Sequence, residues 1–460
     1  MVTMESIFAS RALLPDGWAD NVRVGIDAAG AIGSVERDAL PLDGDLTLGS
    51  RVLLPAPANL HSHTFQRAMA GMTEHRSALK DDFWTWRTLM YRFLEVLAPE
   101  EIEAVAALVY MEMLEAGYAA VAEFHYVHHR PGGGTYDNIA ELSDRIFAAA
   151  VTTGIGLTHL PVLYTYGGAD RAALAGGQLR FGCDLQRFQK LLDAARGAMK
   201  TLPGDFAIGM APHSLRATAP EQYGEIAMLG RDGPIHIHAA EQQKEVRDIE
   251  AWLGARPVQW LLDNTDVDAN WCLIHTTHMT DQETVSLARS GATAGLCPIT
   301  EANLGDGVFN GPAYLDAGGC FGVGSDSNIR ISLSEELRQL EYSQRLRHEA
   351  RNVMATGSAS TGSLLYDRAL NGGARALQRN CGALETDRLA DMVALEGDHV
   401  ALCGLRPEQI LDGWIFASDD RLVRDVWSAG RHCVKNGRHT ARDAVETRYR
   451  TVLKGLMDRI

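Results

Sequence analysis

His61 and His63 stand one residue apart at the end of the apolar run "LLPAPANLHSH". In an extended strand, residues i and i+2 share a face, so both imidazoles project together while Ser62 points away. Imidazole is the commonest metal-ligating side chain, and zinc takes it readily. Alone, the pair fits two packed core histidines as well as a metal site, so further ligands must come from elsewhere in the chain. His238 in "PIHIHAAE" and Asp326 in "GVGSDSN" supply them. Three imidazole nitrogens and a carboxylate make a mononuclear divalent-metal shell with a position left open for water. Such an ion lowers the pKa of water from ~15.7 toward ~7. Glu241, three residues after His238, can then shuttle a proton between water and substrate. His275 in "IHTTH" can hydrogen-bond the nucleophile or polarise the reacting group, and Asp326 can accept the proton of the water.

Each assignment has a plainer rival. Asp326 can simply cap a following helix. His236 lies two residues before His238 on the same strand face, and either could ligate; His238 is preferred because it is nearer the strand end and keeps the spacing to Glu241. His128, His129 and His278 read as loop residues or supports for the ligands. His159, without acidic company, reads as a structural histidine, and Cys297 as a packing residue.

These side chains need a scaffold that brings distant segments to one place. The middle of the chain alternates short apolar runs with helical patterns. The candidate strands are "VLLPAPANLHSH", "AAVAEFHYV", "GIGLTHLPVLY", "FAIGMAPHS", "PIHIHAAE", "WCLIHTTH", "ATAGLCPITE" and "GCFGVGSD". Between them lie helical stretches such as "PEEIEAVAALVYMEMLEAG" and "LSEELRQLEYSQRLRHEARN". Eight such alternations fit a (β/α)8 TIM barrel of the α/β class, although an open doubly wound sheet alternates in the same way. The polar residues decide between them. His61 and His63, then Glu123, His125 and Tyr126, then His213, His238 with Glu241, His275 and Asp326 all fall at strand ends. In a barrel those ends share one rim, which carries the active site. Both chain ends are strand-rich, as in "NVRVGIDAAGAIGSVE" and "RLVRDVWSAGRHCVKNGRH". The expected organisation is a β-sandwich from residues 1–53 and 386–460, including a terminal helix, around a catalytic barrel at 54–385.

Composition narrows the partners. A formal net charge of −16 argues against nucleic acid or an anionic membrane. It does not forbid an anionic substrate, since charges beyond a Debye length of ~8 Å are largely screened and local arginines decide. Seven cysteines, scattered, odd in number and without a C-x-x-C pair, match a reducing compartment. With no signal-peptide pattern in "MVTMESIFASRALLPDGW" and no apolar run near the ~20 residues that span a bilayer, a cytoplasmic location is expected.

"LHSH", H-x-x-E in "HAAE", "IHTTH" and "GSDSN" together resemble the amidohydrolase superfamily, in its mononuclear deaminase branch. "HSHTFQRAMAGMTE", "FWTWRTLMYRF", "AEFHYVHH", "IHIHAAEQ" and "TEANLGDGVF" narrow the likeness, along nearly the whole chain, to the formimidoylglutamate deiminases. Ile299, before "TEANLGDG", departs from the family pattern at strand seven. "MAPHS" stands where binuclear members carry a bridging lysine, so the resemblance implies one metal ion, Zn2+ by preference, held by His61, His63, His238 and Asp326.

The resemblance implies N-formimino-L-glutamate as substrate, N-formyl-L-glutamate and ammonia as products, and a homodimer. Two carboxylates and a formamidinium call for cationic clamps at one end and an anionic partner at the other. Arg87 in "TWRTLMY" and Arg216 in "PHSLR" can form bidentate carboxylate contacts. Gln66, Tyr126 and His213 can add hydrogen bonds, and Glu241 can pair with the amidinium. The nearest alternative is a deaminase of a purine, pterin or triazine on the same scaffold, whose pocket favours aromatic stacking over paired arginines. A non-catalytic barrel predicts gaps in the metal and proton-transfer set, which is complete here. A metal-dependent phosphoesterase could use the same arginines for phosphate.

Overall fold

The apolar run from Val52 to His63 forms two strands where the sequence suggests one. In the computed structural model, which describes residues 5–76, 82–357 and 359–460, Val52–Pro55 pairs within one sheet and Ala58–Ser62 opens another. Residues 1–4 of the expected N-terminal segment lie outside the described residues. Pro55 and Pro57 lack the N–H that a ladder needs, so the chain changes sheets between them.

Ala58–Ser62 is β1 of the central layer. It is followed by β2 (Ala120–His125), β3 (Gly156–Leu163), β4 in two pieces (Ala207–Ile208 and Ala211–Pro212) and β5 (Ile235–Ala239). Then come β6 (Trp271–His275), β7 (Thr293–Leu296) and β8 (Cys320–Val323). Every ladder among them is parallel, with Glu123 opposite His159 and His238 opposite Ile274. Bridges Met210–Ile235 and Ser214–His238 join β4 to β5, and Ser62–Asp326 joins the end of β8 to β1. The eight strands therefore follow one another in chain order and the last meets the first. All residues of β1, β2, β3, β5, β6 and β7 are buried, as expected for strands covered on both faces. At the β8–β1 seam the backbones come close: a Cβ on Gly324 would stand 2.7 Å from the His61 nitrogen. Only glycine fits there.

The seventh candidate strand stops early. Pro298 occupies the first turn of a helix, Pro298–Leu304, so Glu301 lies on a helix instead of a strand. At the other end of the barrel, helix Thr361–Leu377 closes the bottom: its Ala376 and Leu377 carbonyls accept from His236 Nε2 (2.7 Å) and Thr158 Oγ1 (3.0 Å).

Both chain ends meet in one nine-stranded hydrogen-bonded sheet. Its order runs Arg438–His439, Arg431–Lys435, Val423–Ser428, Met392–Leu395, Val52–Pro55, Glu5–Leu14, Gly17–Ile26, Ile32–Glu36, with Leu46–Thr47 alongside Glu5–Leu14. Period-two alternation divides its side chains. Leu53, Met392, Ala394 and Trp427 join a separate core with Ile7, Val22 and Val24. Val52, Leu54, Val393, Leu395 and Val426 instead join the barrel core. Among the described residues, no helix is long and apolar enough to cross a membrane.

Candidate active site

The strand ends turn sharply. Ala240, His275, Thr276, Asp326 and Asn328 have φ between 45° and 69°, the left-handed region that non-glycine residues avoid. Such conformations cost on the order of 1–3 kcal/mol each and persist only where neighbours hold them. Buried polar side chains do so here. The Glu245 carboxylate accepts from the N–H groups of Ala240 (3.2 Å) and Glu241 (3.0 Å) as the chain enters helix Gln243–Leu253. Asn59 accepts from the Ser325 and His61 N–H groups and donates to Ser325 Oγ at 2.7 Å. Ser325 donates to Asn328 Oδ1 at 2.6 Å, and Asn328 donates to Ser62 Oγ at 3.2 Å. This network crosses the seam and sets Asp326 against β1.

His61, His63, His238 and Asp326 then converge, one ligand atom from each lying within 4.8 Å of all the others. His61 Nε2 is 3.2 Å from His63 Nε2 and 3.1 Å from His238 Nε2. Asp326 Oδ1 is 3.4 Å from His61 Nε2 and 3.3 Å from His63 Nε2. His63 Nδ1 donates to the Phe124 carbonyl (2.9 Å) and His238 Nδ1 to the His213 carbonyl (3.0 Å). A proton at Nδ1 leaves a lone pair at Nε2. Burial pushes the His63 pKa down to about 3, and burial with neighbouring histidines holds His61 and His238 well below their ordinary value. His63 and His238 thus aim lone pairs at the point where His61 Nε2 and a carboxylate also meet, an arrangement that attracts a cation. Nitrogens bound at ~2.1 Å to one tetrahedral ion stand roughly 3.4 Å apart, so the donor set fits a divalent metal.

His236, the rival ligand, spends its Nε2 on the Ala376 carbonyl one layer deeper in the barrel. His159 bonds Ser143 Oγ at 3.0 Å, His128 the Val162 carbonyl and His129 the Gly182 carbonyl. His278 Nδ1 contacts Gln243 Nε2 at 2.9 Å. The Cys297 N–H donates to Glu301, and burial raises its thiol pKa, which suits a packing role.

One cavity is lined by His63, His238 and Asp326 and also by Glu241 and His275. Gln66, Arg87, Tyr126, His213 and Arg216 line it too. His275 Nε2 lies 3.7 Å from Glu241 Oε1 and 3.9 Å from Asp326 Oδ2. Burial alone would lower the His275 pKa, but Glu241, Glu301 and Asp326 outweigh it and push it up to about 10. Burial raises the pKa of Glu241, against the pull of His275 and Arg216. Arg216 Nη2 is 3.6 Å from Glu241 Oε2, while its buried Nε has no partner among the described residues. Arg87 rests over the rings of Phe83, Trp84 and Tyr91 and reaches Tyr164 Oη at 3.5 Å. Among the described residues no carboxylate pairs with it. Gln66 donates to Tyr126 Oη at 2.7 Å, and its buried Oε1 has no donor among the described residues.

Sequence reasoning missed three neighbours. Tyr164 directly follows β3 in "LYTYGG" and contacts Arg87. Glu301 contacts His275 at 3.3 Å, and Gln242 donates to Asp306, whose pKa burial and Glu241 push up to about 9. Both carboxylates lie in "TEANLGDG", a stretch whose acidic residues on either side of an asparagine were the available signal.

The amidohydrolase family model matches residues 52–433, and the model described as the N-terminal domain of formimidoylglutamate deiminase HutF matches residues 4–47. A formimidoylglutamate deiminase of Pseudomonas aeruginosa is 48% identical over 99% of this chain and 100% of its own length. A 5-methylthioadenosine/S-adenosylhomocysteine deaminase of Haloarcula marismortui is 25% identical over 85% of this chain and 84% of its own. The crystal structure of an amidohydrolase from Brucella melitensis superposes with a TM-score of 0.93 at 48% identity, covering 98% of this chain and 100% of that one.

Proposed function

The chain belongs to the amidohydrolase family, and we infer that it hydrolyses N-formimino-L-glutamate to N-formyl-L-glutamate and ammonia, a step of histidine degradation. The observation that carries the substrate reading is the pair of guanidiniums in one cavity with the histidine–aspartate cluster. Arg87 has no carboxylate partner among the described residues and Arg216 keeps a buried Nε free. Buried cations without full compensation are costly, and a ligand carrying two carboxylates relieves both. A stacked heterocycle leaves them unpaired.

His61, His63, His238 and Asp326 are the residues we assign to a divalent metal, with Zn2+ the ion their nitrogen and oxygen donors suit. When bound, it acts as a Lewis acid that makes hydroxide available from water near neutral pH. Arg87 and Arg216 hold the carboxylates, with Gln66, Tyr126 and His213 completing the hydrogen bonds, which places the formimino carbon toward Asp326. Glu241 pairs with the cationic amidinium. Asp326 takes the proton of the adding water. His275, its pKa raised, donates a hydrogen bond from Nε2 to the reacting oxygen, and Glu241 passes a proton to the terminal nitrogen, which leaves as ammonia. One water enters and one ammonia departs.

We also read residues 1–53 and 386–460 as one discontinuous domain on a barrel of residues 54–385, the enzyme as cytoplasmic, and its assembly as a homodimer. The ladder linking Val52–Pro55 to Met392–Leu395 supports the first of these.

The deciding experiment is ammonia release from formimino-L-glutamate, with adenosine, a pterin and a phosphate ester as competitors, and metal analysis of the same sample. Fast release from the amidine alone supports the reading. Preference for a heterocycle or an ester rejects it.

A further inference from the structure

His275 has one nitrogen facing the barrel wall and one facing the cavity. On the wall side, Glu301 Oε1 stands 3.3 Å from Nδ1. On the cavity side, Nε2 lies between Glu241 and Asp326. Two other contacts do not choose between the nitrogens. The ring stacks on His238 at 5.6 Å and 14°, which sets its plane but not a half-turn about Cβ–Cγ. The backbone, at φ 69°, sets where the side chain starts and not which nitrogen leads. Among the described residues, Glu301 is the only polar side chain that reaches Nδ1.

Glu301 is itself held firmly. It is 5% exposed, lies in the first turn of helix Pro298–Leu304, and accepts the Cys297 N–H at 2.9 Å through the same oxygen that meets His275. The sharp stop of β7 at Leu296 and the turn at Pro298 are what bring it into reach.

We propose that Glu301 is the positioning residue of His275: by accepting a hydrogen bond from Nδ1–H it fixes the ring orientation that presents Nε2 to the reacting groups. A buried carboxylate orients the catalytic imidazole in the same way in a Ser-His-Asp triad. The proposal rests on the deaminase reading above, since it gives His275 a reacting oxygen to donate to.

A double-mutant cycle tests it. Wild type, Glu301→Ala, Glu301→Gln, His275→Ala and the two His275→Ala double variants are compared for kcat, KM and metal content, with single-turnover assays for weak variants. Glu301→Ala is expected to lower kcat by about 10²–10³-fold, with KM within about threefold and metal content at the wild-type level. Glu301→Gln keeps an acceptor oxygen and should recover at least about tenfold of that loss. In the His275→Ala background either Glu301 change should cost less than about twofold. Equal losses in both backgrounds, or loss of metal in Glu301→Ala, overturn the proposal by showing a structural role. If Glu301→Ala does not fold, the Glu301→Gln arm of the cycle decides in the same way. Wild type inert toward formimino-L-glutamate rejects the substrate reading separately, and the cycle is then read with whichever amidine or aminated heterocycle the wild type hydrolyses.

Discussion

His61, His63, His238 and His275 cluster at the strand ends, the last three lining the cavity, while His125, His128, His129 and His159 are buried beside β2 and β3, toward helix Glu141–Thr153 and the Gly182 loop. The two groups match in number and burial. Within the second, the rings also lie close, His125 being 5.3 Å from His159 and 5.6 Å from His128. They differ in where the nitrogens point. In the second group His159, His128 and His129 each spend Nε2 on a separate hydroxyl or carbonyl, and among the described residues no carboxylate joins them. In the first, three Nε2 atoms and Asp326 meet. Burial alone neutralises histidines; convergence on a carboxylate makes a cation site.

The largest effect expected is on that convergence. His61→Ala or Asp326→Ala should lower bound metal well below one equivalent and remove activity, whereas His125→Ala and His159→Phe should keep the wild-type metal content. Elemental analysis of purified variants measures this. Full metal in the first pair, or its loss in the second, would erase the distinction between the clusters.

Next comes proton transfer beside the metal cluster. Glu241→Gln should keep its metal and fold but lose turnover by a factor of about 10²–10⁴. Near-normal kcat in a metal-replete sample would leave Glu241 as a mere neighbour of His275.

A third test moves to the far side of the same cavity. Truncating one partner of a buried charge pair costs roughly 3–5 kcal/mol, so Arg216→Met should cut kcat/KM for formimino-L-glutamate at least about a hundredfold. A formamidine without carboxylates should react poorly with wild type and almost equally poorly with the variant. Proportional losses on both compounds would mean that Arg216 supports the fold or the metal cluster.

The smallest effect belongs to the second histidine group. His159→Phe leaves the Ser143 hydroxyl without its partner and should cost about 1–3 kcal/mol in chemical denaturation, with kcat unchanged. Its pH dependence gives a sharper reading. Burial holds the His159 pKa at about 3, against 6.5 for the free group. Below pH 6.5 the unfolded chain takes up a proton that the folded chain refuses until about pH 3, so this residue costs stability progressively across that window and nothing above it. His159→Phe should flatten the acid-side slope by up to one proton, about 1.4 kcal/mol per pH unit. His125 and His128 are depressed in the same sense and will keep part of the slope in the variant. An unchanged slope would show that His159 titrates normally.

Periodicity and residue type made much of this legible in the sequence. Apolar runs ending in His, Glu or Asp announced strands and their functional ends, because a strand buried on both faces must be apolar until it reaches the rim. The spacing of His61 to His63 and of His238 to Glu241 is local, and local geometry follows from backbone conformation alone. The scattered cysteines and the arginines near Trp84 and His213 were likewise readable as composition and position.

What remained hidden depends on contacts between segments far apart in the chain. Whether His236 or His238 ligates is settled by Ala376, whose carbonyl takes the deeper histidine. The proline break that splits Val52–His63 shows in the sequence, but that Val52–Pro55 pairs with Met392–Leu395 does not. Asp326 meets Ser62 only because the last strand closes on the first, and Glu301 reaches His275 only because the chain turns at Pro298. Side-chain type and spacing act within a turn or a strand, so the sequence itself determined the candidate ligands and acids. Their convergence, tautomers and orientation are set by packing between strands, and only the tertiary structure decided those.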